Sequence, residues 1–170
     1  MKNLKTLRKI TFITIAFLAL SCSKDDNGGS SNIPSSGSYI NAKINGNSFS
    51  TTISGVSTAS ASRSGTGSET LIFVIGSNIE SKNINLTLYG ITAPGTYTLN
   101  SDSDSVMSTV DSGVAYSTGG CGVSGTLKVT AIDATKIEGT FSFTGKDTDN
   151  CATSATKTVT NGSFRGVFAI

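Results

Sequence analysis

The sequence predicts an all-β domain built as an antiparallel meander of about nine strands, folded into a β-sandwich. Three observations carry this. Short runs of alternating apolar and polar residues recur along the chain, punctuated by Gly, Asn, Asp and Ser. No segment sustains a helical period, and β-branched and aromatic residues fill the runs. With 19 Gly beside 27 Ser and 24 Thr, the composition suits strands and turns.

Taken in order, Tyr39 to Ile44, the turn Asn45-Gly46-Asn47 and Ser48 to Thr52 read as a hairpin, because Asn-Gly accepts the positive φ angles that tight hairpin turns require. Residues 53–62 form a weaker strand that stops at Ser64-Gly65-Thr66-Gly67. The unbroken run Leu71-Ile72-Phe73-Val74-Ile75 reads as a strand buried on both faces. Ile84, Leu86 and Leu88 alternate with Asn85, Thr87 and Tyr89, the pattern of a half-buried strand. Pro94-Gly95 turns the chain into Thr96 to Leu99. Further strands follow over 106–110, 114–118, 127–132, 137–144 and 158–170. Their uneven lengths favour a sandwich over a closed or flattened barrel.

The N-terminus reads as an address. Lys2, Lys5, Arg8 and Lys9 form one positive block, and Ile10 to Leu20 is apolar apart from two threonines. That stretch is about half the length needed to span a bilayer as a helix, which makes it a signal-peptide core and residues 1–21 a removable segment. Clustering of the charges in one block, rather than along one face, argues against a short amphipathic helix.

Leu18-Ala19-Leu20-Ser21-Cys22 resembles a bacterial lipobox, with Ala19 and Leu20 departing from the commonest residues at their places. The resemblance makes Cys22 the acylated N-terminus of the mature chain, and its lipid the partner of a membrane. Several acyl chains on one residue anchor a protein effectively permanently. Ser23-Lys24-Asp25-Asp26 resembles the export signal of Bacteroidetes-type surface lipoproteins, which implies outer-membrane anchoring with the domain facing the cell exterior. Residues 22–37 are otherwise Ser, Gly, Asn and Asp apart from Ile33 and a single Pro34. With little to bury, they should act as a tether to one domain over 38–170.

Charge and composition exclude several functions. The formal charge of the whole sequence is +2. Four of the 13 basic residues precede Cys22, leaving nine against 11 acidic ones, so the mature balance is about −2. Nucleic-acid binding needs clustered Lys and Arg, and so small a balance spread over this length is no footprint for it. The sequence holds no His, which removes Ser-His-Asp and Cys-His nucleophiles, imidazole acid/base chemistry and histidine-ligated zinc. No cofactor is expected.

Cys121 and Cys151 flank a hairpin whose turn lies near Ala134-Thr135-Lys136, and their midpoint is residue 136. Parity places Cys121 with Leu127, Val129 and Ala131, and Cys151 with Phe141 and Phe143 on the facing arm. An exported chain meets an oxidising compartment, so the pair reads as a disulfide. No third ligand or Cys-x-x-Cys spacing supports a metal or redox pair.

The remaining chemistry rests on carboxylates. Thr109-Val110-Asp111-Ser112-Gly113 resembles the Asp-Ser/Thr-Gly loop of aspartic proteases, but such sites need two aspartates sharing a proton and there is one copy. Asp-Ser-Gly is also ordinary turn chemistry. Asp102, Asp104, Asp147 and Asp149 lie in two predicted loops as weak candidates for a calcium site, although neither cluster continues into an EF-hand. Asp104-Ser105-Val106 resembles the acceptor for O-glycosylation in these bacteria, at Ser105. Without Trp, a sugar-stacking ring must come from Tyr or Phe, and alternation makes Tyr89 the best exposed candidate.

The mature chain also resembles a family of small Bacteroidetes lipoproteins of unknown function. The resemblance rests on Ala42-Lys43-Ile44-Asn45-Gly46 with Phe49, on residues 93–99, on Gly139-Thr140-Phe141-Ser142-Phe143, and on Thr160-Asn161-Gly162-Ser163-Phe164. It implies an all-β domain on a lipid anchor and brings no catalytic residues. The expectation is thus a surface-exposed, lipid-anchored binding, adhesive or structural module, with a glycan or protein ligand. The rival classes are a carboxylate-based hydrolase and a calcium-dependent glycan-binding protein.

Overall fold

The computed structural model describes residues 36–169. The signal segment, Cys22 and Ser23-Lys24-Asp25-Asp26 lie outside the described residues.

Hairpins dominate, and their turns are those the chemistry demands. β1 (Tyr39–Ile44) and β2 (Asn47–Ser50) join through Asn45 (φ 48°) and Gly46 (φ 82°), a two-residue turn with both central φ angles positive. A small hairpin, β3 (Thr52–Ile53) with β4 (Val56–Ser57), turns at Ser54-Gly55. It breaks the strand expected over 53–62, of which only the end survives as β5 (Ser60–Ser64). β6 (Leu71–Ser77), β7 (Asn83–Tyr89), β8 (Gly95–Leu99), β9 (Val106–Asp111) and β10 (Val114–Ser117) follow. β11 (Gly125–Ile132), β12 (Lys136–Gly145) and β13 (Lys157–Val167) complete the order.

Eleven of these strands form two antiparallel sheets, of six strands in the order β2-β1-β13-β12-β11-β8 and of five in the order β10-β9-β7-β6-β5. Neither closes into a barrel, and the fold is a β-sandwich. There are more strands than the nine expected, and the meander is interrupted. β8 leaves the smaller sheet to edge the larger one, while β7 pairs directly with β9. Period-two alternation gives a strand's two faces but not its neighbours, so this crossing could not be read from spacing.

The core lies between the sheets. Ile40, Leu127, Val129, Ile137, Phe141, Phe143 and Phe164 come from the larger sheet, and Ile72, Val74, Ile84, Leu86, Leu88 and Met107 from the smaller. Burying such side chains is the main favourable contribution to folding, roughly 1.5–3 kcal/mol each. Phe141 packs against both Phe143 and Phe164, with ring centroids 6.3 and 6.1 Å apart. Gly139 makes room for this cluster: a Cβ there would meet the Lys128 carbonyl and lie 2.9 Å from Phe164 Cε1.

One expectation is corrected. The run from Leu71 to Ile75 is buried on one face only, with Ile72 and Val74 inside, Leu71 and Phe73 half-buried and Ile75 41% exposed. Its outward side has no covering layer among the described residues, so an unbroken apolar run did not mean burial on both faces.

Buried hydroxyls finish ladders where strands end. Thr51 Oγ1 accepts the Ile40 N–H at 2.9 Å and donates to the Ile40 carbonyl at 3.2 Å. Thr118 Oγ1 accepts the Met107 N–H at 3.1 Å. These side chains replace backbone partners that the interrupted strands no longer supply. At one corner the sheets are tied by reciprocal Ser117 and Lys146 backbone bonds of 3.0 and 3.1 Å.

Candidate functional site

The carboxylates singled out in the sequence lie in separate turns, where Asp147 acts as a cap and Asp111 holds an ion pair. Asp102 and Asp104 lie between β8 and β9, where the Asp102 N–H donates to Asn100 Oδ1 at 3.0 Å. Asp111 ends β9 in the tight turn Ser112 (φ 54°)-Gly113 (φ 81°), as its turn chemistry predicts. Its Oδ2 lies 2.6 Å from Lys157 Nζ, and this bond from the ammonium holds the carboxyl below the usual carboxylate range. Asp147 caps the short 3-10 turn Thr148–Asn150, accepting from the Asp149 N–H at 3.0 Å and from Asn150 Nδ2 at 2.8 Å. Among the described residues, no three His, Cys, Asp or Glu side chains converge as metal ligands.

Cys121 and Cys151 form a disulfide, with Cα atoms 5.2 Å apart. The expected placement on facing strands is corrected. Cys121 (φ 59°) lies in the loop between β10 and β11, and Cys151 follows the 3-10 turn between β12 and β13. The staple therefore joins two loops close to the Ser117–Lys146 corner instead of two rungs of one ladder. Leu127, Val129, Phe141 and Phe143 do share the inward face, but Ala131 does not stay with Leu127 and Val129: the bulge in β11 after Val129 turns it to the side of its partner Glu138.

Ser105 is 6% exposed, and its Oγ accepts the Tyr89 N–H at 2.8 Å while donating to the Tyr89 carbonyl at 3.3 Å. A glycan on this oxygen would have to displace the side chain from both bonds. Tyr89 itself is half-buried on the outward side of the smaller sheet, with its hydroxyl bonded to Glu69.

The feature missed in the sequence is the outward face of the six-stranded sheet. Register aligns its polar positions into rows that cross the strands. Thr98, Thr126 and Ser142 form one row, and Thr96, Lys128, Thr140, Ser163 and Asn41 another. Strands about 4.8 Å apart place neighbouring hydroxyls of a row within reach of one ligand. An open depression of about 490 Å³ lies over these rows, lined by Lys128, Thr140, Asn161 and Ser163 among others. A second, of about 260 Å³, shares Thr126 and Ser142 with it and extends toward Thr158. Asn161 (φ 53°) is the extra residue where the β12–β13 register shifts.

This face also concentrates positive charge. Among the described residues its outward positions include Lys43, Lys128, Lys136 and Arg165 against one carboxylate, Glu138, which is bonded to Arg165 at 2.7 Å and paired with Lys136 at 3.2 Å. Lys128 has no ion pair among the described residues. Asn41 closes its row 8% exposed, with neither carboxamide atom hydrogen-bonded. The signal was present in the sequence as Thr96/Thr98, Thr126/Lys128/Thr130 and Thr140/Ser142/Thr144, each the polar half of an alternation. Only the pairing of the strands turns these halves into one surface.

Two stacked antiparallel sheets, a loop-to-loop disulfide and an open polar sheet face define a small all-β domain. Residues 36–168 match a domain of unknown function, DUF6252, and the chain belongs to that family. No curated protein and no solved structure matches the chain.

Proposed function

We propose that this chain is a lipid-anchored lipoprotein of the outer membrane, displayed outside the cell, whose β domain is a non-catalytic binding module. The observation that carries the binding role is the open, hydroxyl-lined face of the larger sheet. Asp111 and Asp147, by contrast, are committed to an ion pair and a cap. The lipid anchor rests on the basic block, the short apolar core and Cys22, and display rests on Ser23-Lys24-Asp25-Asp26.

Mass spectrometry of the N-terminal fragment, membrane fractionation and antibody labelling of intact cells test this reading. Cys22 should carry acyl chains, and Cys22→Ser should move the protein out of the membrane fraction. Asp25→Ala with Asp26→Ala should leave it membrane-bound but hidden from antibody. A native protein with an unmodified Cys22, or one inaccessible on intact cells, overturns the anchor or the display respectively.

A further inference from the structure

The geometry points to an acidic polysaccharide as the ligand of the six-stranded face, with uronate carboxylates meeting Lys128 and sugar hydroxyls meeting the rows of Ser and Thr. This deepens the binding-module reading and rests on it. Charge selects the class: among the described residues the face carries four cations against a single carboxylate, Glu138, which pairs with Lys136 and Arg165, and Lys128 stands between Thr96 and Thr140 in a polar row without an ion-pair partner among those residues. Shape selects a polymer. The two depressions share Thr126 and Ser142, so together they form one trough across β8, β11, β12 and β13, longer than either depression alone.

Hydrogen-bonding capacity agrees, since each Ser or Thr hydroxyl both donates and accepts, which suits a ligand whose own hydroxyls do the same. Asn41, at the end of the same row, adds a buried carboxamide with no hydrogen-bond partner among the described residues. Other macromolecules fit less well. Leu127, Val129, Phe141 and Phe143 all turn inward, and Val167, 38% exposed at the end of β13, does not make the central cluster of apolar anchors on which protein interfaces depend. Single-stranded nucleic acid would require exposed rings for base stacking, and the outward positions of β8, β11, β12 and β13 carry none.

The test uses the full-length protein in detergent, measured against immobilised polygalacturonate and alginate, with neutral dextran as the control. We expect retention on an acidic polymer and not on dextran, weakening as ionic strength rises. Lys128→Met, which keeps most of the apolar stem, should bind about tenfold more weakly, Lys128→Arg should bind nearly as well, and Thr126→Val with Thr140→Val should also lose affinity. Unchanged melting temperatures establish that the variants are folded. Retention on neither acidic polymer, equal retention on dextran, or an unaffected Lys128→Met variant would each overturn the proposal. Antibody labelling of the same cells keeps the two readings apart: label without retention defeats the ligand class alone, whereas absence of label defeats surface display.

Discussion

Lys157 Nζ and Asp111 Oδ2 lie 2.6 Å apart, joining residues 46 positions apart in the chain. The pair ties the β9–β10 turn of one sheet to the first residue of β13 in the other. The Lys157 ammonium also lies 5.2 Å from the centroid of the Tyr116 ring.

The pair gives stability an acid-side dependence. Because Lys157 lowers the Asp111 pKa on folding, the contribution is present above the unfolded carboxyl pKa and is lost as pH falls through the lower folded value. Asp111→Asn should cost about 0.5–1 kcal/mol at neutral pH and nothing once Asp111 is protonated. Urea titrations of both proteins from neutral to acid pH check this, and a constant difference across the range would count against it.

Removal of the disulfide should be costlier. The Cys121–Cys151 bond spans 30 residues, and opening such a loop lowers stability by about 3.6 kcal/mol on the chain-entropy account. Cys121→Ala with Cys151→Ala should lower the urea midpoint to match, and added reductant should reproduce the effect in the parent protein.

Thr51 is fully buried and bonds both backbone groups of Ile40. Thr51→Val keeps the volume but strands the Ile40 N–H, so we expect a loss of about 1–3 kcal/mol. Thr51→Ser retains the hydroxyl and should lose less. Thermal melts of the two variants distinguish the lost hydrogen bond from the lost methyl.

Gly139→Ala introduces a methyl against the Lys128 carbonyl and Phe164. Overpacking of this kind costs about 1–3 kcal/mol. Because Lys128 is on the proposed contact face, polysaccharide affinity measured on the folded fraction would report whether the strain reaches that side chain.

Local chemistry was legible wherever it decides structure alone. Asn45-Gly46 and Ser112-Gly113 take positive φ angles at hairpin turns, and Ile84, Leu86 and Leu88 alternate into the core. Long-range pairing was not. Nothing around Thr96 to Leu99 says that this strand joins β11 and not its neighbours in sequence. The cysteines were paired correctly but put on strands, because parity counts run straight through loops and ignore a positive φ at Cys121. The candidate face was hidden for the same reason: Lys128, Thr140 and Ser163 become one row only after β11, β12 and β13 are set side by side.

The position of β13 between β1 and β12 sets an order of assembly. Among the described strands β1 and β2 come first in the chain, yet β1's other neighbour in the sheet is β13, which follows all the rest. Until β13 is available, β1 and β12 each present an unpaired edge and the aromatic cluster lacks Phe164. The larger sheet therefore cannot close early on a partly made chain. Such late closure suits the membrane crossing that the proposed anchor and display would require.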